Sequence, residues 1–223
     1  MACASTSRNF QRSTLRLRSR PRCTAALQHD VHIAGHAFRL RPIAASDAAY
    51  LLELRAAGGQ FLNRGASTLA EQRAWLDRYF VRDDDYCFIV ETADGQRREG
   101  LVGLYDIDHD AKAAEWGRWV LAPRSNAAVE SALLVYRFAF DMLSLASVRC
   151  RTLAGNAKVV AFHDSCGLAR ISASVTIDHD GTRRAGVEHR LTQRQWPDVR
   201  ARLDGLAARF AATALRESGR RSR

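Results

Sequence analysis

No apolar run in this chain approaches the ~20 residues that a membrane-spanning helix needs. The five cysteines, at positions 3, 23, 87, 150 and 166, form no C-x-x-C pair. That spacing excludes the common zinc and disulfide frameworks. Cys87, Cys150 and Cys166 lie inside apolar patterns and read as small core residues, which implies a reducing, cytoplasmic setting. No internal repeat is present; Ile-Asp-His-Asp recurs at 107–110 and 177–180 as two similar hairpin turns. A basic body is also missing. The net charge is +10, but residues 1–36 hold six Arg against Asp30, and residues 209–223 hold five Arg against Glu217. Between them, 37–208 carries 23 basic and 22 acidic residues. A near-neutral body offers no electrostatic footprint for nucleic acid.

What is present is one domain's worth of regular pattern with a basic tail at each end. Residues 1–36 have no acidic residue before Asp30 and are rich in Arg, Ser and Thr. They have the composition of an organelle transit peptide, lack the apolar stretch of a secretory signal, and are expected to be a disordered extension. Translation starting near Leu27 or Val31 is an alternative. Residues 37–208 form the expected domain, and 209–223 a basic tail.

The alternation in 37–42 predicts a strand. Ser46 is expected to cap a helix to about Ala57, and Thr68-x-x-Glu71 is a capping box for a helix to about Val81. Between them, 58–67 is a Gly-bearing loop. Strands follow at 86–92, 99–108 and 113–121, the first two joined by an Asp94-Gly95 turn. A helix is expected over 127–143, a strand over 147–153 and a helix over 157–166. Strands at about 169–177 and 185–192 precede a final helix from Gln195.

The stretch from Glu115 to Leu168 carries the chemistry. It sets a helix N-terminus just after a strand end and Asn156 at the next strand-to-helix junction. Backbone N–H groups at a helix start suit a diphosphate, and an Asn amide suits an amide-bearing thiol arm.

Asn156-Ala-Lys-Val159-Val-Ala-Phe162-His163-Asp-Ser-Cys-Gly167-Leu168 resembles the signature of the GNAT acyltransferase superfamily. His163 stands at the usual Tyr position and Leu168 at the usual Phe. Ala114-Glu115-Trp116-Gly117 with Trp119 resembles that superfamily's fourth strand, and Phe138-Ala139-Phe140 the end of its coenzyme-binding helix. The resemblance spans about 37–205. It implies an α+β, GNAT-type mixed fold, a central twisted sheet of about seven strands with helices on both faces. It also implies acetyl-CoA as acyl donor, no metal, and a small-molecule amine as acceptor. Within the superfamily the likeness is greatest to acetyltransferases acting on amines of nucleotide-linked sugars. Ribosomal-protein N-terminal acetyltransferases come next. No nucleic-acid or membrane partner is implied, and a homodimer stays open.

One departure stands out. The superfamily's coenzyme loop is glycine-rich, whereas Arg124, Ser125, Asn126, Ala127, Ala128 and Val129 contain no glycine. Any residue but Pro supplies an N–H, and Ala is the smallest obstruction to close approach. Glu130 would repel a diphosphate if it faced the loop.

The resemblance assigns roles. Backbone N–H groups near Val120 and Leu121, on a splayed strand, are expected to polarise the thioester carbonyl. His163 is expected to give the leaving thiolate a proton, the alternative being a core histidine bonded to a carbonyl. Asn156 holds the coenzyme arm or caps its helix. Glu115 is the expected base, on one strand face with Gly117 and Trp119 by the two-residue period, its alternative being a carboxylate paired with Arg118 or water. Asp106 and Asp108 are weaker candidates, and Asp106-Asp108-His109-Asp110 reads as turn residues more readily than as a metal site. Asn63 and Arg64 in the 58–67 loop are expected to meet a phosphate or sugar hydroxyl, and Trp119 or Trp116 to stack on a ring. A module of the same fold that binds coenzyme A without catalysis is the rival of another class.

Overall fold

The computed structural model describes residues 28–221. Among the described residues, eight strands and five α-helices follow one another: β1 (Ile33–Ala34), β2 (Phe38–Pro42), α1 (Ala48–Ala57), α2 (Leu69–Tyr79), β3 (Tyr86–Thr92), β4 (Arg98–Asp108), β5 (Ala113–Leu121), α3 (Ala128–Arg137), β6 (Ser147–Leu153), α4 (Ala157–Ser165), β7 (Ala169–His179), β8 (Thr182–Thr192) and α5 (Trp196–Arg221). They form one mixed sheet in the order β1-β2-β3-β4-β5-β6-β8-β7. Every pairing is antiparallel except β5 with β6.

Both sheet faces are covered, which explains why β3 is apolar from Tyr86 to Val90 without a break. Phe88 and Val90 point to one core with Trp116, Leu134, Phe138 and Leu203, under α3 and α5. Cys87 and Ile89 point to a second core with Leu51, Leu54, Leu76 and Tyr79, under α1 and α2. A strand buried on both faces loses the alternation that an edge strand keeps.

Local chemistry sets most element ends. Thr68 and Glu71 form the capping box of α2. Ser46 is not the cap of α1: a short 3-10 turn over Ala45–Asp47 precedes the helix, and the Asp47 carboxylate takes the Ala44 N–H at 2.9 Å while pairing with Arg41. The expected helix 127–143 is α-helical to Arg137 and π-helical over Phe138–Met142.

The folded body begins earlier than position 37. His29 is buried against Tyr86 and Phe88, and β1 pairs with β2. These nine residues, 28–36, belong to the fold; the rest of the expected extension lies outside the described residues. At the other end the helical backbone of α5 runs through the basic tail to Arg221. Among the described residues, no helix is long and apolar enough to cross a membrane.

Candidate active site

The sheet is open at its middle. β5 and β6 pair only at Ala113, Ala114 and Glu115, against Ser147, Val148 and Arg149. Beyond that point β5 runs to Leu121 and β6 to Leu153 without pairing, so the two strands part. The family resemblance implied this splay, while residue spacing alone does not show it.

A β-bulge accompanies it. Between the pairs Gly103–Gly117 and Leu101–Val120, one residue of β4, Val102, opposes two of β5, Arg118 and Trp119. Arg118 takes a positive φ of 49° there. A bulge shifts every later side chain to the other face. Trp119 therefore lies with Trp116, their rings 5.4 Å apart, and not with Glu115 and Gly117 as the two-residue period predicts. The bulge also decides which amides are free. Ala122 donates to Glu99 across to β4 at 2.8 Å. The alternation of an antiparallel ladder then turns the Val120 N–H to β4 and the Leu121 N–H to the gap.

The face with Glu115 is polar. The Glu115 carboxylate is 6% exposed and takes hydrogen bonds from the Arg149 Nε at 3.2 Å, the Arg151 Nε at 2.9 Å and the Tyr105 hydroxyl at 3.3 Å. These partners stand in place of the Trp119 neighbour expected on this face and of the alternative pairing with Arg118. Arg118 instead pairs with Asp85 and lies 4.3 Å over the Tyr105 ring. Burial raises the Tyr105 phenol well above its ordinary range, and the Glu115 charge adds to this. Gly117 leaves room for that phenol: a Cβ there would collide with the Tyr105 hydroxyl. Tyr105, Arg149 and Arg151 were missed in the sequence. The two arginines did leave a signal, since residues two apart on a strand share a face.

The other face is aromatic. Trp116, Trp119, Phe162 and His163 pack edge to face or tilted, and the Trp116 indole donates to the Tyr136 hydroxyl at 2.7 Å. His163 is 3% exposed, and its Nδ1 has no hydrogen-bond partner among the described residues. Burial, and then the nearby His189, push its pKa down to about 3. Such an imidazole is neutral at pH 7, so it holds no imidazolium proton to give. Desolvation of the charged form is the physical cause, and it weighs against the expected acid role.

At the rim of the splay stands the start of α3. Ala127 is its N-cap residue and is fully buried, with its N–H bonded to the Ser125 hydroxyl at 3.2 Å. The first helical bond runs from Ser131 to Ala127, which leaves the N–H groups of Ala128, Val129 and Glu130 at the open end. Asn126 and Arg124 are exposed, Arg124 with a φ of 66°. Glu130 does not face this loop. Its carboxylate turns away to the β1–β2 connection, where it accepts the backbone N–H groups of His36, Ala37 and Phe38. Gly35 is the residue that admits it, since a Cβ there would overlap the carboxylate. The expected repulsion of a diphosphate is thereby removed.

Asn156 stands at the N-terminus of α4. Its side chain makes no capping hydrogen bond, while its carbonyl accepts from Val159 and Val160 at 3.1 Å each. The amide is thus uncommitted at the rim of the gap. Asn63 and Arg64 are exposed on the 58–67 loop. That loop lies along the splay: Leu62 and Val120 flank Gly58, Phe61 lies over Gly155, and the Arg64 N–H bonds to Asp180 in the β7–β8 turn.

Asp106 and Asp108 lie apart from the gap. Asp106 sits on a second bulge with a φ of 50°, and Asp108 closes its turn by accepting the Ala111 N–H at 2.8 Å. His109 pairs with Asp84 at 2.8 Å.

Comparison with known proteins follows the same lines. A solved structure described as apo FdhC, a nucleotide-linked sugar GNAT, is 26% identical, with a TM-score of 0.67 over 78% of this chain and 97% of that one. A variant of the spermidine N-acetyltransferase SpeG from Vibrio cholerae is 18% identical, with a TM-score of 0.63 over 72% and 96%. The same spermidine enzyme in a dodecameric form is also 18% identical, with a TM-score of 0.62 over 72% and 96%. At those lower identities the likeness is one of fold. No curated protein sequence matches significantly. The family model for the acetyltransferase (GNAT) domain matches residues 38–169, which is more than half of the chain, and the protein belongs to that family.

Proposed function

We propose that the protein is an N-acetyltransferase that moves an acetyl group from acetyl-CoA to the primary amine of a nucleotide-linked amino sugar. The parting of β5 from β6 after Glu115 carries the reading, because it opens a slot through the sheet with amide donors at its rim. The open amides of α3, from Ala128 to Glu130, suit a diphosphate, with Ser125, Asn126 and Arg124 beside them. The uncommitted Asn156 side chain suits the amide-bearing arm. The Leu121 N–H faces the gap and suits a carbonyl oxygen that gains negative charge.

Transfer is direct: the amine nitrogen bonds to the acetyl carbon, the carbon–sulfur bond breaks, the sulfur keeps the electron pair, and the thiolate then takes up the proton that the acylated nitrogen sheds. A thiol titrates near ~8.5, so a thiolate leaves without a dedicated acid. The neutral His163 is then a wall of the slot, packed with Trp119.

The ammonium must first lose a proton, and Glu115 is the carboxylate at the gap. Arg149 and Arg151 hold that carboxylate in place. Carboxylates as a class are weak bases, which is enough for an amine flanked by electron-withdrawing oxygens. Such an amine titrates nearer the α-amino value of about 8 than the lysine value of about 10.4. This, with the sugar GNAT among the similar structures, favours an amino sugar over a polyamine. Among the described residues, the free thiols of Cys87, Cys150 and Cys166 suit a reducing cytoplasm.

Calorimetry with acetyl-CoA followed by turnover with a nucleotide-linked amino sugar tests the reading. Micromolar binding and acetylated product are expected; no heat at millimolar acetyl-CoA would refute it. The burial of His163 favours one second reading, a coenzyme-binding module, which would show binding with no product.

A further inference from the structure

We propose that Arg55 anchors a phosphoryl group of the acceptor. This rests on the acetyl-transfer reading above and names the part of the acceptor that the chain recognises. Arg55 lies on α1 and is half-buried under the 58–67 loop. Its Nη2 donates to the Asn63 carbonyl at 2.6 Å, and the Gly65 backbone lies against its guanidinium so closely that a Cβ would collide.

A guanidinium has five donors, and a half-buried one is normally matched by a carboxylate. Its neighbours on this side of the sheet obey the rule. Arg118 has Asp85, Arg149 and Arg151 share Glu115, and Arg41 has Asp47 and Glu91. Arg55 has no carboxylate oxygen within ion-pair distance among the described residues. Burial lowers its pKa, and the Arg118 charge lowers it further, while Asp180 across the loop opposes them. Asp180 itself accepts the Arg64 N–H. The cation is held in place by backbone and is short of an anion.

Its position says which anion. The α3 amides that suit the coenzyme diphosphate belong to the helix on the other face of the sheet, packed in the core with Trp116. Arg55 is on the α1–α2 face, beside the loop that runs along the splay past Val120 and Gly155. Arg55, whose charge is felt at Arg118, and Glu115, bonded to the Tyr105 that Arg118 covers, share that face. A phosphoryl oxygen pair matches the guanidinium fork, whereas a polyamine would meet like charge.

The test uses the full chain saturated with coenzyme A, so that the α3 site is filled, and titrates inorganic pyrophosphate by calorimetry. Arg55→Gln is expected to weaken pyrophosphate by about tenfold or more, and Arg55→Lys by a smaller factor of about three. Coenzyme A affinity is expected to be the same in all three proteins, which also shows that the variants are folded. Equal pyrophosphate affinity in wild type and Arg55→Gln, or no binding to wild type, would overturn the proposal, as would tighter binding of spermidine. If wild type bound no coenzyme A, the acetyl-transfer reading would fail separately, and pyrophosphate would be judged without coenzyme by the same comparison. In turnover, Arg55→Gln is expected to raise KM about tenfold for a phosphorylated amino sugar and to leave KM for the unphosphorylated sugar unchanged.

Discussion

Glu115 and Trp116 are neighbours in the chain and opposites in environment. One faces two arginines and a phenol; the other faces an indole, an imidazole and a second phenol in a dry core. The polar face carries charge that ligands can use. The aromatic face holds β5 to α3 and α4, so that the polar groups stay at the edge of the splay. A strand that parts from its neighbour loses ladder hydrogen bonds, and something must fix its position. Here packing of large rings does so.

The largest effect is therefore expected from the aromatic face. Trp116 is 2% exposed, and its indole N–H is bonded to Tyr136. Trp116→Ala is expected to cost about 4 kcal/mol, from the cavity and from the unpaired Tyr136 hydroxyl. Urea denaturation measures it, and a loss under about 1 kcal/mol would show that the rings are not the anchor.

The polar face should lose rate and keep its fold. Glu115→Gln retains the shape but cannot take a proton. A general base is worth roughly a hundredfold or more in rate, so kcat is expected to fall about that much, with coenzyme affinity unchanged. Steady-state rates across pH check it. An unchanged rate and pH profile would move the base elsewhere and leave Glu115 as a purely structural partner of Arg149 and Arg151.

The pH dependence of stability sharpens the contrast. His163 is neutral in the fold, with a pKa near 3, against about 6.5 in the unfolded chain. Its contribution is fully present above pH 6.5 and is lost as pH falls from 6.5 toward 3, because only the unfolded chain takes up the proton. By pH 5 the loss is about 2 kcal/mol. Buried His29, lowered to about 4, adds a loss of the same sign. His163→Phe keeps a ring in the cage and is expected to flatten the fall in thermal midpoint between pH 6.5 and 5. An unchanged slope would mean that the cage admits water.

The two faces also differed in how well they could be read from residues alone. On the aromatic face the α4 motif, Asn156 to Leu168, was legible because helix spacing and the family likeness agree there. The capping box at Thr68 and the strands from Tyr86 to Leu121 were legible from residue spacing. The splay was not, since pairing between β5 and β6 is a relation between distant segments. Nor was the bulge at Arg118, where a non-glycine residue takes a positive φ and turns Trp119 away from Glu115. The early start of the fold at His29 was hidden by the basic composition around it. Glu130 was placed on the right helix and left without a direction, because its partners are backbone amides ninety residues away.

The smallest effect is expected where the two faces meet, at Asn156. Its side chain caps nothing, so Asn156→Ala removes no hydrogen bond from the folded chain. Thermal unfolding without ligand is expected to change by less than about 0.5 kcal/mol, as for a partly exposed site away from packing. One bond to the coenzyme arm is worth about 1 kcal/mol, so the dissociation constant for acetyl-CoA should rise about fivefold. Calorimetry and a thermal scan of the same sample separate the outcomes. A loss of stability with unchanged affinity would make Asn156 a helix-start residue after all. A loss of affinity with unchanged stability would assign its amide to the coenzyme, and would set the coenzyme arm against the edge of α4, between the ring cage and the arginines.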